Sequence, residues 1–292
     1  MQGSERIFIV GGTGNIGTSV VRELLTKNVP VTLFARDTDK VNALFGNNNL
    51  IQVVPGNFDD LSPLKRSLNG HSRMFLLISD IERYVQLKTE ISQYAFESGI
   101  KQIVNLSDIL ASYPWRTTYL GHRSRIVEEA ILNMPNRGYC VSLRPTRLMS
   151  NFLVFERLQD NVTFDTIDED KLQGWISPND IGAVAAAILT EDIEKHADAV
   201  YELSGDAITP KQRADIFTRV LNRPITYKKI SAAEKYQAYV SCGCPHLVAY
   251  TASTSMATID AHSAYITDGI EILIGRKPET LEKYVLANKD KF

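Results

Sequence analysis

Residues 7–17 read IFIVGGTGNIG: four apolar residues run directly into a cluster of glycines. Glycine loses more backbone freedom on folding than any other residue, so such a cluster needs a reason. A turn is one reason and the close approach of a ligand is another. The run Ile7–Val10 has the composition of a strand buried on both faces. Beyond the glycines, Val20, Val21, Leu24 and Leu25 recur at helical spacing. A glycine cluster that ends a buried strand and opens a helix is the setting of a dinucleotide-binding loop. Gly11, Gly14 and Gly17 have the spacing G-x-x-G-x-x-G, with Thr13, Asn15 and Ile16 between them. Gly11 would permit the tight exit from the strand, Gly14 the approach of a pyrophosphate to the backbone, and Gly17 close packing of helix on strand.

The same alternation continues. Apolar strands are expected at 31–35, 50–54, 74–79, 101–106 and 139–143, with helices at 39–44, 62–70, 81–97 and 123–132 between them. Ser62-Pro63 suits a helix start, with Ser as cap and Pro in the first turn. Six strands separated by helices predict an α/β, doubly wound parallel sheet. After Leu143 the rhythm loosens, with a helix at 181–189, a strand at 199–203, a helix opening at Thr209-Pro210, and a tail over 231–292 that reads as mostly helical. The expected division is a nucleotide-binding domain over 1–150 and a smaller, mostly helical substrate lobe over 151–292, partly interleaved with the sheet.

The end of the second strand selects the cofactor. A carboxylate there binds the ribose 2′-hydroxyl of NAD, whereas an arginine accommodates the 2′-phosphate of NADP. This chain has Arg36 followed by Asp37, with Lys40 nearby. NADP(H) is therefore the expected cofactor, with NAD(H) as the alternative if Asp37 takes the ribose. Asn57 and Phe58 follow the third strand and could meet adenine, or could form a turn over a buried aromatic. Ile78 and Ser79 end the fourth strand, Ser107 the fifth, and Pro145 closes the sixth. All fall along the carboxyl ends, where ligands lie in such sheets.

Composition excludes several classes. A formal net charge of −2 over 292 residues gives no electrostatic reason to expect nucleic acid or an anionic membrane. No apolar run is long enough to span a bilayer. The N-terminal MQGSER lacks the basic and apolar regions of a secretion signal. Three cysteines are too few for a disulfide framework, and Cys242 with Cys244 forms C-x-C without a second ligand pair. No metal is expected. The setting is read as cytoplasmic, with nothing that bars passage into the nucleus.

With those residues in place the chain resembles the NmrA-like family of atypical short-chain dehydrogenases/reductases. The resemblance rests on VGGTGNIG from Val10, FARD ending at Asp37, GNFDD from Gly56, GIKQIVNLSD from Gly99 and VEEAI from Val127. It continues in LRPTRLMSNF from Leu143, PNDIGAVAAAIL from Pro178, YELSGDAITPKQRADIF from Tyr201 and GRKPETLEKYV from Gly275. It implies a Rossmann domain, a nicotinamide dinucleotide and a small lobe forming a substrate cleft. It also implies one of two roles: reduction of quinones, enones, imines or related small molecules, or NAD(P) sensing by a regulator that binds another protein.

Short-chain reductases pair a serine after the fifth strand with Tyr-x-x-x-Lys, in which the tyrosine passes a proton as hydride arrives. Here Ser107 is present, and Tyr119 and Arg123 have the spacing with arginine in place of lysine. The plainer reading of Tyr119 is a loop tyrosine ahead of a basic helix start. His122 is a second candidate acid. Where family members place Lys or His before the Val-Glu of VEE, this chain has Ser124. Met149, Asn151, Phe152 and Phe155 are expected to line an apolar substrate pocket, with Trp175 and Tyr250 as further candidates. Asp180 reads as the cap of the helix that follows it.

Overall fold

The computed structural model describes residues 5–255, 264 and 268–292; the remaining stretches of the N-terminus and of the tail, expected as helix in the latter case, lie outside it. A seven-stranded sheet is built from β1 (Ile7–Val10), β2 (Val31–Ala35), β3 (Ile51–Pro55), β4 (Arg73–Leu76), β5 (Gln102–Leu106), β6 (Tyr139–Pro145) and β10 (Val200–Leu203). Its order is β10-β6-β5-β4-β1-β2-β3. Strand β1 pairs in parallel with β2 on one side and with β4 on the other, so the order reverses at β1. Ligands of doubly wound sheets sit at such a reversal, outside the carboxyl ends.

Helices α1 (Asn15–Thr26), α2 (Thr38–Phe45), α3 (Ser62–Ser67), α4 (Tyr84–Glu97) and α5 (Tyr119–Leu132) connect these strands. The four residues of β1 are all buried, which explains its unbroken apolar run. Helix α1 turns Val20, Val21 and Leu24 inward. Helix α6 (Pro178–Ile188) packs on α1 through Gly182, where an added Cβ would stand 2.6 Å from Ser19 Cβ. Arg73 donates to Glu191 O (2.5 Å) just beyond α6, ahead of the short helix α7 (Ile193–His196).

Strand β4 stops at Leu76, three residues short of the expectation. Its partner β1 ends at Val10, and Gly11 then turns away with φ +84°. Leu77 N still reaches Val10 O (3.2 Å), but residues 78–79 are left with no strand to pair with on that side. Ser62 is the first residue of helix α3 and not its cap: Leu61 holds the N-cap position, no side chain caps the helix, and the Asp60 carboxylate accepts from Ser62 N (2.9 Å).

The chain divides into two compact units whose boundaries interrupt the sequence: Met1–Asp108, Arg123–Arg144 and Ile181–Tyr201 form the first; Ile109–His122, Pro145–Asp180 and Glu202–Phe292 form the second. The second unit holds a three-stranded sheet of β7 (Arg147–Leu148), β9 (Gln173–Ile176) and β11 (Asp206–Ile208), and a parallel pair of β8 (Val162–Asp165) and β12 (Thr226–Lys229). Its helix α8 (Pro210–Leu221) opens on a capping box: Thr209 Oγ1 accepts from Gln212 N (3.1 Å) and Gln212 Oε1 accepts from Thr209 N (2.9 Å). Phe217 and Ile216 of α8 pack with Phe152, Trp175 and Leu281 in the unit's core.

Candidate functional site

The glycines after β1 have separate roles. At Gly11 the φ of +84° suits glycine alone, and an added Cβ would lie 2.5 Å from Leu77 O. At Gly17 an added Cβ would lie 2.0 Å from Gly11 O, so α1 packs directly on the turn. Gly14 differs: it is exposed, and the nearest atom to an added Cβ is Gly11 O at 3.8 Å. Gly14 is the N-cap of α1, no side chain caps that helix, and no acidic residue occupies its first turn. Thr18 N bonds to Gly14 O (2.8 Å), so the amides of Asn15, Ile16 and Gly17 lack an intrahelical acceptor. The result is an open, uncapped helix N-terminus with a positive end and no competing carboxylate, which fits a pyrophosphate. Thr13 is half-buried beside it, Asn15 is exposed, and the Ile16 side chain is buried, so Ile16 offers only its backbone.

Arg36 follows β2, is exposed, and makes no hydrogen bond or ion pair among the described residues. Asp37 is engaged elsewhere, as the N-cap of α2, where its Oδ1 accepts from Lys40 N (2.9 Å). The two residues left open at the sequence level are thus separated by local structure. The carboxylate starts a helix and the guanidinium is available.

Asn57 Oδ1 accepts from Asp59 N (2.7 Å), which closes a turn after β3. The Phe58 ring packs 6.1 Å from the Phe34 ring and joins the core on that face. Ile78 is buried in the same core and Ser79 is exposed. Both residues lie in the loop after β4, not at the strand end.

Ser107 follows β5 and is buried. Its hydroxyl donates to the Glu128 carboxylate, which α5 brings inward. Glu128 also accepts from Arg144, with Nε at 3.1 Å and Nη2 at 2.5 Å. Lys88 of α4 is fully buried, donating to Asn105 Oδ1 (2.7 Å) and to Leu106 O (2.5 Å). The Tyr84 ring lies 4.6 Å from Lys88 Nζ and 4.7 Å from the Arg123 guanidinium carbon, and its hydroxyl is 3.4 Å from Ser124 Oγ. Sequence reasoning missed Lys88, Tyr84, Glu128 and Arg144 as a group. One signal was present: Lys88 sits on the face of α4 that carries Leu87, Ile91 and Ala95. A lysine on an apolar face needs buried acceptors.

Tyr119 is the first residue of α5 rather than a loop residue, and Arg123 follows it by one turn of the same helix. The His122 ring meets the Trp115 ring edge-on at 4.4 Å. The helix starts early because Thr118 Oγ1 accepts from Gly121 N (3.0 Å) and because Gly121 admits Leu110 O, which an added Cβ would meet at 2.2 Å.

In the second unit Met149 and Phe152 are core residues. Phe152 lies 4.4 Å from the Trp175 ring and 5.4 Å from the Phe217 ring, and all of these side chains are buried. Met149, Phe152 and Trp175 thus pack together in the core of this unit. Asn151 is half-buried and its carbonyl accepts from Val154, Phe155 and Glu156 N (3.0, 3.0 and 2.9 Å). Phe155 stacks on Tyr239 at 5.9 Å, and Tyr250 is 56 % exposed. Pro145 is buried at the end of β6.

The same unit contains a buried ionic network. Arg147 donates to Asp165 and Glu156 (both 2.7 Å), and Lys235 donates to Asp165 (2.6 Å). Arg213 donates to Gln173 Oε1 (3.1 Å), Gln173 Nε2 donates to Asp165 (2.9 Å), and the Tyr239 hydroxyl donates to Glu156. Burial would raise the Asp165 carboxyl, but the charges of Arg147, Lys235 and Arg213 outweigh it and hold the carboxyl well below its usual range. Asp180 accepts from Arg276 Nη1 (2.7 Å) and Glu279 N (2.8 Å), so it ties the C-terminal segment to the start of α6 instead of capping it.

Among the described residues no group of three or more His, Cys, Asp or Glu side chains could hold a metal ion. Burial pushes the Cys140 thiol up to about 12. No described helix is long and apolar enough to cross a membrane.

The sequence profile of the NmrA-like family matches residues 3–286. The chain is 25% identical to the NAD(P)H azoreductase of Xenophilus azovorans over 98% of its own length and 99% of that protein's. Its fold is similar to that of the NADPH-dependent quinone oxidoreductase QOR2 of Escherichia coli complexed with NADPH, with a TM-score of 0.81 and 24% identity, covering 97% of this chain and 99% of that one. It is similar too to NmrA, a negative transcriptional regulator, in complex with NADP, with a TM-score of 0.77 and 16% identity, covering 98% and 95% of the two chains.

Proposed function

The chain belongs to the NmrA-like family, and from that premise we propose that it is an NADPH-dependent reductase of a small, largely apolar carbonyl, quinone or conjugated compound. One observation carries the cofactor reading: an open, uncapped helix start at Gly14 together with an unpaired Arg36 at the end of the next strand. The amides of Asn15, Ile16 and Gly17 would hold the pyrophosphate, and Arg36 would pair bidentately with a 2′-phosphate. The azoreductase relative is named for NAD(P)H, and QOR2 and NmrA are described with NADPH and NADP, which agrees with this reading.

A bound nicotinamide supplies the hydride; the chain supplies binding and orientation. Gly11 and Gly17 set the loop, Arg36 chooses the phosphorylated cofactor, and Ser107 is held by Glu128 at the carboxyl end of β5. A cytoplasmic setting suits an enzyme that draws on NADPH.

A second reading, a nucleotide sensor that binds a partner protein, draws support from Ser107. Its proton is directed at a buried carboxylate rather than left for a substrate oxygen. Titration with NADPH, NADP+, NADH and NAD+, on the wild type and on Arg36→Ala, tests the cofactor reading. Tighter binding of the phosphorylated forms, lost in the variant, supports it; binding of none of the four sinks it. NADPH consumption with a quinone or conjugated acceptor then separates the enzyme from the sensor.

A further inference from the structure

Two loops flank the glycine loop in the sheet order β4-β1-β2-β3: residues 56–60 after β3 and residues 77–80 after β4. The first carries Asn57 and Phe58, the second Ile78 and Ser79. Both belong to the first unit. Each loop is ordered on its own. Asn57 Oδ1 holds Asp59 N (2.7 Å), and Asp80 Oδ1 holds Arg83 N (2.9 Å).

One side chain joins them. Arg83, the N-cap residue of α4, donates Nε to Asp80 Oδ2 (2.9 Å), and its Nη2 lies 2.9 Å from the same oxygen. Its Nη1 donates to Asp59 Oδ1 (2.8 Å) and to Phe58 O (3.3 Å). The planar fork of arginine suits such a junction, since one edge grips the Asp80 loop while the remaining nitrogen reaches the Asp59 loop. The joint is wet. The Arg83 side chain is 41% exposed and that of Asp59 is 76% exposed. Exposed ion pairs contribute little to stability, and the buried face of α4 is made by Leu87, Lys88, Ile91, Ser92 and Ala95. Stability therefore gives a weak reason for a guanidinium shared between two loops. Holding both walls of a binding site at a fixed separation gives a stronger one, because it removes ordering cost from the binding step.

We infer that Arg83 is a positioning residue for the dinucleotide: it fastens the loop carrying Asn57 and Phe58 to the loop carrying Ile78 and Ser79, so that both walls are in place before the cofactor arrives. The inference rests on the cofactor reading given above. The residue acts through the two loops and has no part in choosing between phosphorylated and unphosphorylated cofactor, which falls to Arg36.

The test compares wild type, Arg83→Gln, Arg83→Lys and Asp59→Ala by fluorescence titration with NADPH and with NADH, alongside thermal melts. Arg83→Gln is expected to raise both dissociation constants about tenfold, the equivalent of one or two newly disordered side chains. The NADPH-to-NADH ratio is expected to stay within a factor of about two and the melting temperature within about 2 °C of wild type. Asp59→Ala, which cuts only one arm, should weaken binding in the same direction. Arg83→Lys, with one donor head for two carboxylates, should recover part of the loss. A wild type that binds while Arg83→Gln binds equally well overturns this inference alone. So does a loss in Arg83→Gln that comes with a large fall in melting temperature and is absent in Asp59→Ala. A wild type that binds no nucleotide overturns the cofactor reading, and this inference with it.

Discussion

Gly14 and Gly17 differ by three positions and are expected to fail in opposite ways. Consider Gly17→Ala. The new Cβ would stand 2.0 Å from Gly11 O and 2.8 Å from both Gly11 C and Gly12 Cα, all of them backbone atoms. No rotamer relieves such a clash, so the start of α1 must retreat by at least about 1 Å in a close-packed site. Overpacking of this kind costs about 1–3 kcal/mol. For a chain of this size each kcal/mol moves the melting temperature by roughly 2–4 °C, so a fall of roughly 2–12 °C is expected. Now consider Gly14→Ala. Its φ of −89° and ψ of 175° are ordinary for alanine, and the nearest atom lies 3.8 Å away. Alanine is a poorer N-cap by up to about 1 kcal/mol, but it lowers the unfolded chain's entropy by a comparable 0.4–1 kcal/mol or so. The melting temperature should therefore move by less than about 3 °C. The methyl group would instead occupy the open side of the loop, where a pyrophosphate must touch the backbone, and NADPH affinity should fall at least about tenfold, a loss of about 1.4 kcal/mol. Thermal melts and NADPH fluorescence titration on the two variants decide the matter. Wild-type affinity in Gly14→Ala would refute the assignment of this loop to the pyrophosphate. Wild-type stability in Gly17→Ala would refute the packing argument.

Other expectations concern the buried groups. In the native protein a thiol reagent near neutral pH should label Cys242, which is exposed, and leave Cys140 and Cys244, pushed up to about 12 and about 11 by burial, until the chain is unfolded; rapid labelling of all three would contradict the buried placement. The Asp165 network stabilises the fold while its carboxylate is ionised. Because the folded carboxyl titrates below the unfolded one, that contribution is fully present above about pH 4 and is lost as pH falls toward the folded value. Lys235→Met should cost about 3–5 kcal/mol by leaving a buried carboxylate short of a partner, read by urea unfolding at pH 7. Ser107→Ala should cost about 1–2 kcal/mol, because Glu128 loses a buried donor; a variant as stable as wild type would mean that Arg144 alone satisfies the carboxylate.

The parts of the fold legible in the sequence were those with a strong local signature. The β1 run, the glycine spacing and the Thr209-Pro210 helix start each place an element by their own chemistry. Elements that depend on distant partners were not legible. Strand β8, Val162–Asp165, is half polar, and its burial is made tolerable by cations from β7, α8 and the helix that carries Lys235. No local pattern announces that. The early stop of β4 is set by where β1 runs out of residues, and the early start of α5 by a glycine that admits Leu110 O. The candidate site divides along the same line. Gly11 and Gly17 are fixed by backbone geometry, and Gly14 and Arg36 are exposed, as their proposed cofactor roles require. Met149 and Phe152 are buried in the core of the second unit, and an apolar side chain carries no mark in the sequence that separates packing from lining a pocket.

The surroundings of Ser107 bear on which acceptors to try first. A ketone reduced by hydride leaves an alkoxide, a strong base that needs a proton donor already in place. The Ser107 hydroxyl points its proton at Glu128, and the Arg123 guanidinium lies over the Tyr84 ring. Two of the three groups expected to form a relay thus already serve the packing of the first unit. A quinone differs in its demand: the anion left after hydride addition is a phenolate, weakly basic enough to wait for water. A conjugated cation differs further, since hydride neutralises it and no proton is needed. An enzyme with this arrangement should therefore reduce quinones and conjugated cations faster than simple aliphatic ketones, and its turnover on the cations should show no rise as pH falls through the range where a protein acid would titrate. Rates measured on the three acceptor classes at fixed NADPH from about pH 6 to 10.5 (a range that spans the ordinary values of His and Tyr) test this. An aliphatic ketone reduced as fast as a quinone would show that a proton donor is in place after all, and would return Tyr119 to the centre of the mechanism.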